Sequence, residues 1–445
     1  MTLVADVLYL IGAVLYLPVL AYQMLVQGKN RRGWAQRLGR VPEFPVGRPR
    51  VWIHAVSVGE VNATPRLVAA LRRRLPDHDV VISTTTDTGF ARARALYGPG
   101  CVFRFPLDFS WAVARTLDRV KPCLIVLVEL EVWYNLIRMA ADRNIPVIVV
   151  NGRLTARSCR RLRLLGAIGR GMFARLTWVG AQDERIAERF RRVGVPPDRL
   201  EVTGSVKWDT AEVADRIEGA SALARAMGIA RDKPLWVCGS TGPGEEAMVL
   251  DAHKRIRRSN PGIALAVIPR KPERFGQVAD LIRHAGFACV RRSEHPDAAD
   301  PNAESQGADL PVGRSVGSGA GDLPVVYLGD TMGELRKFYS LATAVFVGRS
   351  LVPLGGSDPM EVAALAKPVI VGPCTDNFAM PVACLRAADA IRVVSSPVEL
   401  ADAVSRLCGD GSAARRLGEA ARRVVLDNQG ATDRTADAIV RIVQG

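Results

Sequence analysis

Residues 51–65 read VWIHAVSVGEVNATP, an order of strand, loop and helix start that is typical of a parallel α/β unit. Val51–Ala55 is an apolar run of strand length. Thr64 is a candidate N-cap, and Pro65 suits the first helical position. Apolar residues then recur at helical spacing, at Leu67, Val68, Leu71 and Leu75. Because parallel α/β sheets bind ligands at the carboxyl ends of their strands, Glu60 in the loop is a candidate general base. The alternative is a surface carboxylate stabilised by the helix dipole.

The same rhythm of strand and helix continues along the chain and predicts an α/β fold with two doubly wound domains. The first five predicted strands are Val51–Ala55, Val80–Ser83, Leu124–Val128, Val147–Val150 and Thr177–Gly180. A second series comprises Leu235–Gly239, Ile263–Ile268, Phe287–Val290, Val325–Leu328, Ala344–Val347 and Val369–Val371. We expect an N-terminal helix at 1–28, one domain at 29–210, a linker at 211–233 and a second domain at 234–445. Residues 293–322, rich in Ala, Asp, Ser, Gly and Pro, read as a mobile insertion.

Composition limits the class of partner. The chain has 445 residues, 48% of them hydrophobic, and a net charge of +15. The charge calls for an anionic partner, namely nucleic acid, an anionic membrane or a phosphorylated substrate. Aromatic residues are only 6% and do not cluster, which argues against nucleic acid. The eight cysteines are widely spaced, which argues against a zinc site or a disulfide framework.

The N-terminus reads as a membrane anchor that spans the bilayer or is deeply embedded in it. Leu3–Val26 is almost entirely apolar and is long enough to cross a bilayer. The basic flank that follows predicts that the body of the protein lies on the cytoplasmic side. This flank comprises Lys29, Arg31, Arg32, Arg37 and Arg40. The alternative is a helix buried in the core.

A pair of carboxylates, Glu129 and Glu131, follows the strand Leu124–Val128 directly. Charges next to a buried strand are costly unless they are paired or functional. They could bind hydroxyl groups or perturb each other's pKa, and the alternative is a salt bridge to a neighbouring arginine.

Loops of the second predicted domain combine glycine, hydroxyl and charged residues. Gly239–Glu246 follows a strand and suits a phosphate or carboxylate, although it lacks the ending of a P-loop. Pro269–Phe275 adds cations just past another strand. In Gly355–Glu361, Asp358 can cap a helix that starts at Pro359, and Glu361 could accept hydrogen bonds from a ribose diol.

A basic amphipathic segment lies within the first domain. Its arginines are Arg153, Arg157, Arg160, Arg161, Arg163, Arg170 and Arg175, interleaved with apolar residues such as Leu164, Leu165 and Ile168. This pattern favours a surface for anionic lipid or a phosphorylated acceptor. A solvated helix face is the alternative.

Taken in order, these motifs resemble the family of Kdo (3-deoxy-D-manno-octulosonic acid) transferases over nearly the whole chain. In the first domain the motifs are His54-Ala-Val-Ser57-Val-Gly59-Glu60, Ser83-Thr-Thr-Thr-Asp-Thr-Gly89, Phe105-Pro-Leu-Asp108, Glu129-Leu-Glu131-Val-Trp133, Asn151-Gly-Arg153-Leu154 and Thr203-Gly-Ser-Val-Lys207-Trp-Asp209. In the second domain they are Pro269-Arg270-Lys-Pro-Glu-Arg274-Phe275 and Asp330-Thr-Met-Gly-Glu334-Leu335.

The resemblance implies a GT-B fold, with two Rossmann-like domains facing a cleft, and an inverting transfer of Kdo from CMP-Kdo to a lipid A precursor. It implies no cofactor, no bound metal and a site at the cytoplasmic face of the inner membrane. Glu60 matches the general base, and Glu129 or Glu131 matches a carboxylate near the acceptor. Arg153, Arg157, Arg160 and Arg161 are assigned to the phosphates or the lipid of the acceptor. The residues assigned to the donor are Lys207, Ser240, Thr241, Arg270, Gly333, Glu334, Gly356, Glu361 and Asn377.

The chain departs from the family pattern on the donor side. Ser357 and Asp358 stand where the family usually has His and Asn, Lys271 replaces a usual His, and Ser205 replaces a usual Asn. Two alternatives therefore stay open. One is a GT-B enzyme that uses another nucleotide sugar or another acceptor lipid, and the other is a non-catalytic binder of anionic lipid.

Overall fold

The computed structural model describes residues 2–26, 32–45, 47–296 and 323–445. They form two compact units. The first comprises the described residues up to Thr210 together with Asn428–Gly445, and the second comprises Ala211–Asp427. Most of the expected insertion, at 297–322, and the end of the expected anchor, at 27–28, lie outside the described residues.

The first unit is built on a parallel seven-stranded sheet in the order β3-β2-β1-β4-β5-β6-β7. Its strands are β1 (Arg50–His54), β2 (Asp79–Thr84), β3 (Val102–Arg104), β4 (Pro122–Val128), β5 (Val147–Gly152), β6 (Trp178–Ala181) and β7 (Leu200–Val202). The central strands are apolar on both faces because helices cover both sides, and Leu124–Leu127 is wholly buried. The carboxyl ends of β1 and β4 are therefore neighbours, with His54 opposite Leu127.

Eleven of the helices assigned in the described residues lie in this part of the chain. They are α1 (Thr2–Leu25), α2 (Trp34–Arg37), α3 (Val58–Ala63), α4 (Pro65–Arg74), α5 (Asp87–Tyr97), α6 (Ser110–Val120), α7 (Tyr134–Ala141), α8 (Ala156–Arg163), α9 (Gly166–Phe173), α10 (Glu184–Val193) and α11 (Val206–Asp209). Side-chain N-caps begin α3, α5, α8 and α10, because a hydroxyl or carboxylate accepts from a free backbone N–H. These caps are Ser57, Thr86, Thr155 and Asp183.

The N-terminal helix α1 lies where the membrane anchor was predicted. Among the residues described, no helix is both long enough and apolar enough to cross a membrane, so a spanning anchor is not confirmed. Within α1, Asp6, Pro18 and Gln23 interrupt the apolar run. The Asp6 carboxylate accepts hydrogen bonds from Ser110 N–H at 2.8 Å and Asn135 Nδ2 at 2.9 Å, which ties α1 to α6 and α7.

The second unit contains another parallel seven-stranded sheet, in the order β10-β11-β9-β8-β12-β13-β14. Its strands are β8 (Leu235–Thr241), β9 (Ala264–Pro269), β10 (Ala288–Arg291), β11 (Val325–Leu328), β12 (Ala344–Val347), β13 (Val369–Val371) and β14 (Arg392–Val393). Its helices are α12 (Ala220–Met227), α13 (Glu245–Ser259), α14 (Phe275–His284), α15 (Leu335–Leu341), α16 (Met360–Ala363), α17 (Ala379–Ala387), α18 (Pro397–Gly409) and α19 (Gly411–Asn428). The expected linker 211–233 belongs to this unit and contains α12.

The last helix, α20 (Ala431–Gln444), belongs to the first unit, although we expected it in the second domain. Ala436, Ala438 and Ile439 pack in the same core cluster as Val51 and Ile53. The helix has no side-chain cap of its own. Instead, the buried Asp209 carboxylate accepts from Gly430 N–H at 2.7 Å and Thr432 N–H at 2.6 Å. Asp209 therefore fixes the returning end of the chain.

We expect Asp209→Ala to lower the free energy of unfolding by about 2 to 4 kcal/mol, because it leaves two backbone donors without their partner. Urea unfolding followed by circular dichroism measures this loss. Asp433→Ala is the matched control, since Asp433 is exposed and pairs with Arg74 at 2.6 Å at the surface. The control should lose less than about 1 kcal/mol. Equal losses in the two variants would contradict the capping role.

Candidate active site

Glu60 lies within the short helix α3, not in a loop as the sequence suggested. Val56 N–H donates to its Oε2 at 2.8 Å, and the Ser57 hydroxyl donates to its Oε1 at 2.9 Å. Ser57 Oγ also accepts from Glu60 N–H at 3.4 Å. This is a capping box, for which the spacing Ser57-x-x-Glu60 is the sequence signal. The box holds the carboxylate at the carboxyl end of β1.

The pair of carboxylates Glu129 and Glu131 follows β4, which is the neighbour of β1 in the sheet. Glu129 has a left-handed backbone with φ of 64°. Its N–H donates to the Val150 carbonyl at 3.0 Å, and its own carbonyl accepts from Arg153 N–H at 3.3 Å. Glu131 accepts from the indole Nε1 of Trp133 at 3.2 Å. A strained turn that is held on both sides is typical of a functional site.

The three carboxylates are close enough to repel one another. Burial raises the pKa of Glu131 to about 7, and repulsion from Glu60 and Glu129 adds to this rise. Burial also raises the pKa of Glu60 above its usual value, opposed by the hydrogen bonds from Val56 and Ser57. A raised pKa makes the carboxylates of Glu60 and Glu131 stronger bases near neutral pH, which suits proton abstraction from a hydroxyl group.

A general base acts only when it is deprotonated, so the rate falls as the pH drops through its pKa. A raised pKa places this acid limb of the pH profile closer to neutrality than for an ordinary carboxylate. Glu129 is the neighbouring charge that raises the pKa of Glu60, so we expect Glu129→Gln to move the acid limb of kcat/KM to lower pH. Glu43→Gln, at an exposed carboxylate, is the control. An unshifted limb in Glu129→Gln would contradict this coupling.

An aromatic cluster adjoins Trp133, which bonds to Glu131, and sequence reasoning gave the cluster no role. The Trp52 indole donates to Ser83 Oγ at 2.7 Å, and Ser83 Oγ lies 2.9 Å from Nδ1 of the buried His54. The His54 ring stacks on Phe105 at 3.7 Å, and Phe105 contacts Trp133 at 6.2 Å between ring centroids. Burial lowers the pKa of His54 to about 3, so its ring stays neutral. The sequence signals for this cluster were the motifs that begin at His54, Ser83 and Phe105 and the motif that ends at Trp133.

The predicted basic segment forms α8 and α9 of the first unit. Leu164, Leu165 and Ile168 are exposed, with 86% of the Leu164 surface accessible. The four arginines assigned to the acceptor are also exposed and make no ion pair within the described ranges, namely Arg153, Arg157, Arg160 and Arg161. Apolar and cationic side chains on one exposed surface suit a lipid with phosphate groups.

In the second unit, two buried carboxylates organise the glycine-rich loop after β8, and sequence reasoning did not single them out. Glu245 accepts from the backbone N–H groups of Gly242 at 2.9 Å, Ser350 at 2.7 Å and Leu351 at 2.9 Å, and also from that of Arg349. It thereby joins the loop after β8 to the loop after β12.

Glu246 connects the end of β8 to the segment that follows β9. It binds Arg274 through both carboxylate oxygens, at 2.7 and 3.0 Å, and accepts from the Thr241 hydroxyl at 2.9 Å. Ser240 and Thr241, which were predicted to contact the donor, are both buried. The Thr241 hydroxyl is bonded to Glu246 within the same unit. Arg270 is exposed beside them, and its N–H donates to the Thr241 carbonyl at 3.0 Å.

Gly356 and Asn377, both assigned to the donor, lie near each other, because Asn377 bonds to the neighbouring Gly355. Gly355 and Gly356 have φ of 81° and 79°, and Asn377 N–H donates to the Gly355 carbonyl at 3.0 Å. A side chain at Gly355 would collide with the Asn377 amide. Asp358 Oδ1 accepts from Met360 N–H at 2.8 Å, at the start of α16.

Glu334 and Gly333, which were also assigned to the donor, follow β11. Glu334 is held in an ion-pair network, with Arg292 at 2.8 Å and Lys337 at 3.0 Å. Although burial alone would raise it, hydrogen bonds from Arg292, Thr331 and Lys337 hold the pKa of Glu334 at about 2. Gly333 is exposed beside it, with φ of 85°.

The last two candidates for donor binding, Glu361 and Lys207, lie in different units. Glu361 is partly buried; burial raises its pKa, which Arg336 and Arg270 oppose. Lys207, in contrast, lies in α11 of the first unit. In the parts of the chain that the structure describes, no group of three His, Cys, Asp or Glu side chains could hold a metal ion.

Comparisons with known proteins place the chain in a family. The family described as "3-Deoxy-D-manno-octulosonic-acid transferase (kdotransferase)" matches residues 32–210. The 3-deoxy-D-manno-octulosonic acid transferase of Haemophilus influenzae is 33% identical over 418 residues, covering 92% of this chain and 91% of that protein. The same-named protein of Bordetella pertussis is 34% identical over 415 residues, covering 91% and 89%. A glycosyltransferase structure from Rickettsia africae matches with a TM-score of 0.54 and 11% identity, covering 89% of this chain and 99% of that one.

The two parallel seven-stranded sheets and this structural likeness define a fold of the GT-B glycosyltransferase type. The chain belongs to the Kdo transferase family, and it is therefore a glycosyltransferase.

Proposed function

We propose that this chain transfers Kdo from CMP-Kdo to a lipid A precursor during lipopolysaccharide core biosynthesis, with inversion and without a bound metal. Family membership supports the sugar, because both relatives described above are named Kdo transferases. The observation that carries the proposal is the carboxylate of Glu60, held by a capping box with a raised pKa beside two further carboxylates.

In the proposed reaction Glu60 takes the proton of the acceptor hydroxyl. The hydroxyl oxygen then attacks the anomeric carbon of Kdo from the face opposite the nucleotide. As this bond forms, the bond from the anomeric carbon to the phosphate oxygen breaks, and CMP leaves with the electron pair. Lys207 and Arg270 are the cations proposed to face the Kdo carboxylate and the CMP phosphate, since an anionic leaving group needs positive charge or N–H donors.

The proposed location is the cytoplasmic face of the inner membrane. The support is the exposed apolar surface of α1, where Leu8 is 64% and Leu15 75% exposed, and the exposed arginines near Leu164. Such surfaces bind lipid without crossing the bilayer. Binding to vesicles that contain anionic lipid should exceed binding to neutral vesicles and should fall with salt. Equal binding to both kinds of vesicle would contradict the role of the arginines.

A second candidate is a related enzyme with another nucleotide sugar. It is favoured by the departures at Lys271, Ser357 and Asp358, all of which lie in the second unit. Lys271 is exposed and lies 3.5 Å from Glu273, so its charge is partly neutralised. A non-catalytic lipid binder is less well supported, because it would not need three carboxylates at one sheet edge.

Incubation of the purified chain with CMP-Kdo and a tetraacylated lipid A precursor, followed by mass spectrometry, tests the proposal. We expect the acceptor mass to increase by one or more Kdo residues, and to do so equally in the presence of EDTA. An unchanged acceptor mass would contradict Kdo transfer, whereas loss of product only with EDTA would contradict metal independence.

A further inference from the structure

Asn151 is a residue for which the reaction described above has no role. It stands in β5, directly after Val150, and Val150 pairs with the last residue of β4, Val128. Asn151 and Glu129 are therefore adjacent at the same sheet edge, and both have left-handed backbones, with φ of 51° at Asn151. Only 1% of Asn151 is exposed. Strain of this kind is kept where the surroundings demand it, and it clusters at functional sites.

The hydrogen bonds of Asn151 fix the orientation of its amide group. Val206 N–H points to the side chain at 3.3 Å, and an N–H can only donate, so the atom that faces it is the oxygen. The same Oδ1 also accepts from Gln182 Nε2 at 3.1 Å. The amide nitrogen Nδ2 therefore points elsewhere as a donor. It is buried, and it has no hydrogen-bond partner among the residues that the structure describes.

Further polar atoms without a described partner occur at the ends of the neighbouring strands. His54 Nε2 at the end of β1, Thr84 Oγ1 at the end of β2 and Thr85 Oγ1 just beyond it are buried in the same way. Buried polar groups are almost always hydrogen-bonded, so a group of such atoms at one edge of a sheet indicates a ligand or trapped water. Together with Glu60 and Glu129, these atoms form what we call the polar edge.

We propose that Asn151 binds the acceptor sugar, with its Nδ2 donating a hydrogen bond to an oxygen of the ring that carries the reacting hydroxyl. This inference rests on the proposed function. A sugar hydroxyl fits the polar edge because it can donate its proton to a carboxylate while its oxygen accepts from an amide. A phosphate fits poorly, because the carboxylates of Glu60, Glu129 and Glu131 would repel it. The phosphates of the acceptor therefore lie away from this edge.

Asn151→Asp is the sharpest test, because an aspartate keeps an oxygen for Val206 N–H and Gln182 and tolerates a left-handed backbone. What it loses is the free donor. At pH 8 we expect the KM for the lipid A precursor to rise at least about tenfold, which corresponds to loss of one good hydrogen bond. The KM for CMP-Kdo should stay unchanged. Binding of the precursor, followed by tryptophan fluorescence without turnover, should weaken by the same factor.

Asn144→Asp is the matched control, since Asn144 is exposed and left-handed, with φ of 56°, in the turn before β5. We expect it to leave both KM values and precursor binding as in the native chain. The competing explanation is that Asn151→Asp acts only through its added negative charge on Glu60. In that case the acid limb of the pH profile would shift, while precursor binding would stay as in the native chain. That pattern, or native precursor binding in Asn151→Asp, would overturn the inference and leave trapped water as the partner of Nδ2. If the native chain bound the precursor without transferring Kdo, the proposed function would fail while the binding comparison would still decide the role of Asn151.

Discussion

Glu60→Gln should lower kcat for acceptor-dependent Kdo transfer by about 10²- to 10⁴-fold, the range that a general base contributes. A glutamine cannot take the proton, although its amide oxygen can still accept from Val56 N–H or from the Ser57 hydroxyl. The fold should therefore persist, with the melting temperature changed by only a few degrees. Release of CMP, followed at saturating donor and acceptor, measures the loss.

Glu43→Gln serves as the control for Glu60→Gln, because its carboxylate lies in the same unit but is exposed and 3.9 Å from Arg119. It should retain native kcat. A Glu60→Gln enzyme within about threefold of the native rate would show that another group takes the proton. Glu129 and Glu131 would then be the first candidates, because they adjoin the same site.

The largest expected loss of stability follows Glu245→Ala. Its carboxylate is fully buried and accepts from four backbone N–H groups, those of Gly242 and of 349–351. Each buried donor left without a partner costs about 1–3 kcal/mol, and water can reach some of them. We expect the free energy of unfolding to fall by about 3 kcal/mol or more. Chemical unfolding of the full chain measures this loss.

Glu399→Ala is the matched control for Glu245→Ala, because Glu399 is an exposed first-turn carboxylate that accepts from one N–H, that of Ser395, at 2.8 Å. Its loss should be about 1 kcal/mol. If Glu245→Ala cost no more than this control, the loops after β8 and β12 would not depend on the carboxylate. The KM for CMP-Kdo should rise in Glu245→Ala if these loops contact the donor.

The central strands could be predicted from sequence because apolar runs of strand length have few other interpretations. The predicted Val325–Leu328, Ala344–Val347 and Val369–Val371 match β11, β12 and β13 residue for residue. The strands that escaped prediction are β3, β7 and β14, which have two or three residues each. Each of these strands carries a charged residue and lies at a sheet edge, and each is too short to show a hydrophobic periodicity.

The carboxylates Glu60, Glu129 and Glu131 were recognised because motif order and strand ends place them at one edge. The hydrogen-bonded link from Trp52 through Ser83 to His54 was not, since Ser83 is distant in sequence from the other two residues. For the same reason the return of α20 to the first unit could not be read from periodicity. It depends on the long-range contact of Asp209 with Gly430 and Thr432.

On the donor side, the sequence identified residue types but not their internal bonds. Thr241 and Glu334 have the chemistry of ligand-binding groups, yet one binds Glu246 and the other Arg292 and Lys337. Whether they also contact the donor stays a prediction. A sequence pattern cannot distinguish a polar side chain that faces a ligand from one that holds two loops together.

The most direct test of the central claim is nucleotide release by the native chain, with CMP-Kdo and UDP-N-acetylglucosamine compared as donors. The proposed function predicts that CMP is released only when the lipid A precursor is present, and that UDP is not released. UDP release that depends on the precursor, without CMP release from CMP-Kdo by the same folded preparation, would contradict it. The substitutions Lys271, Ser357 and Asp358 would then mark a different donor.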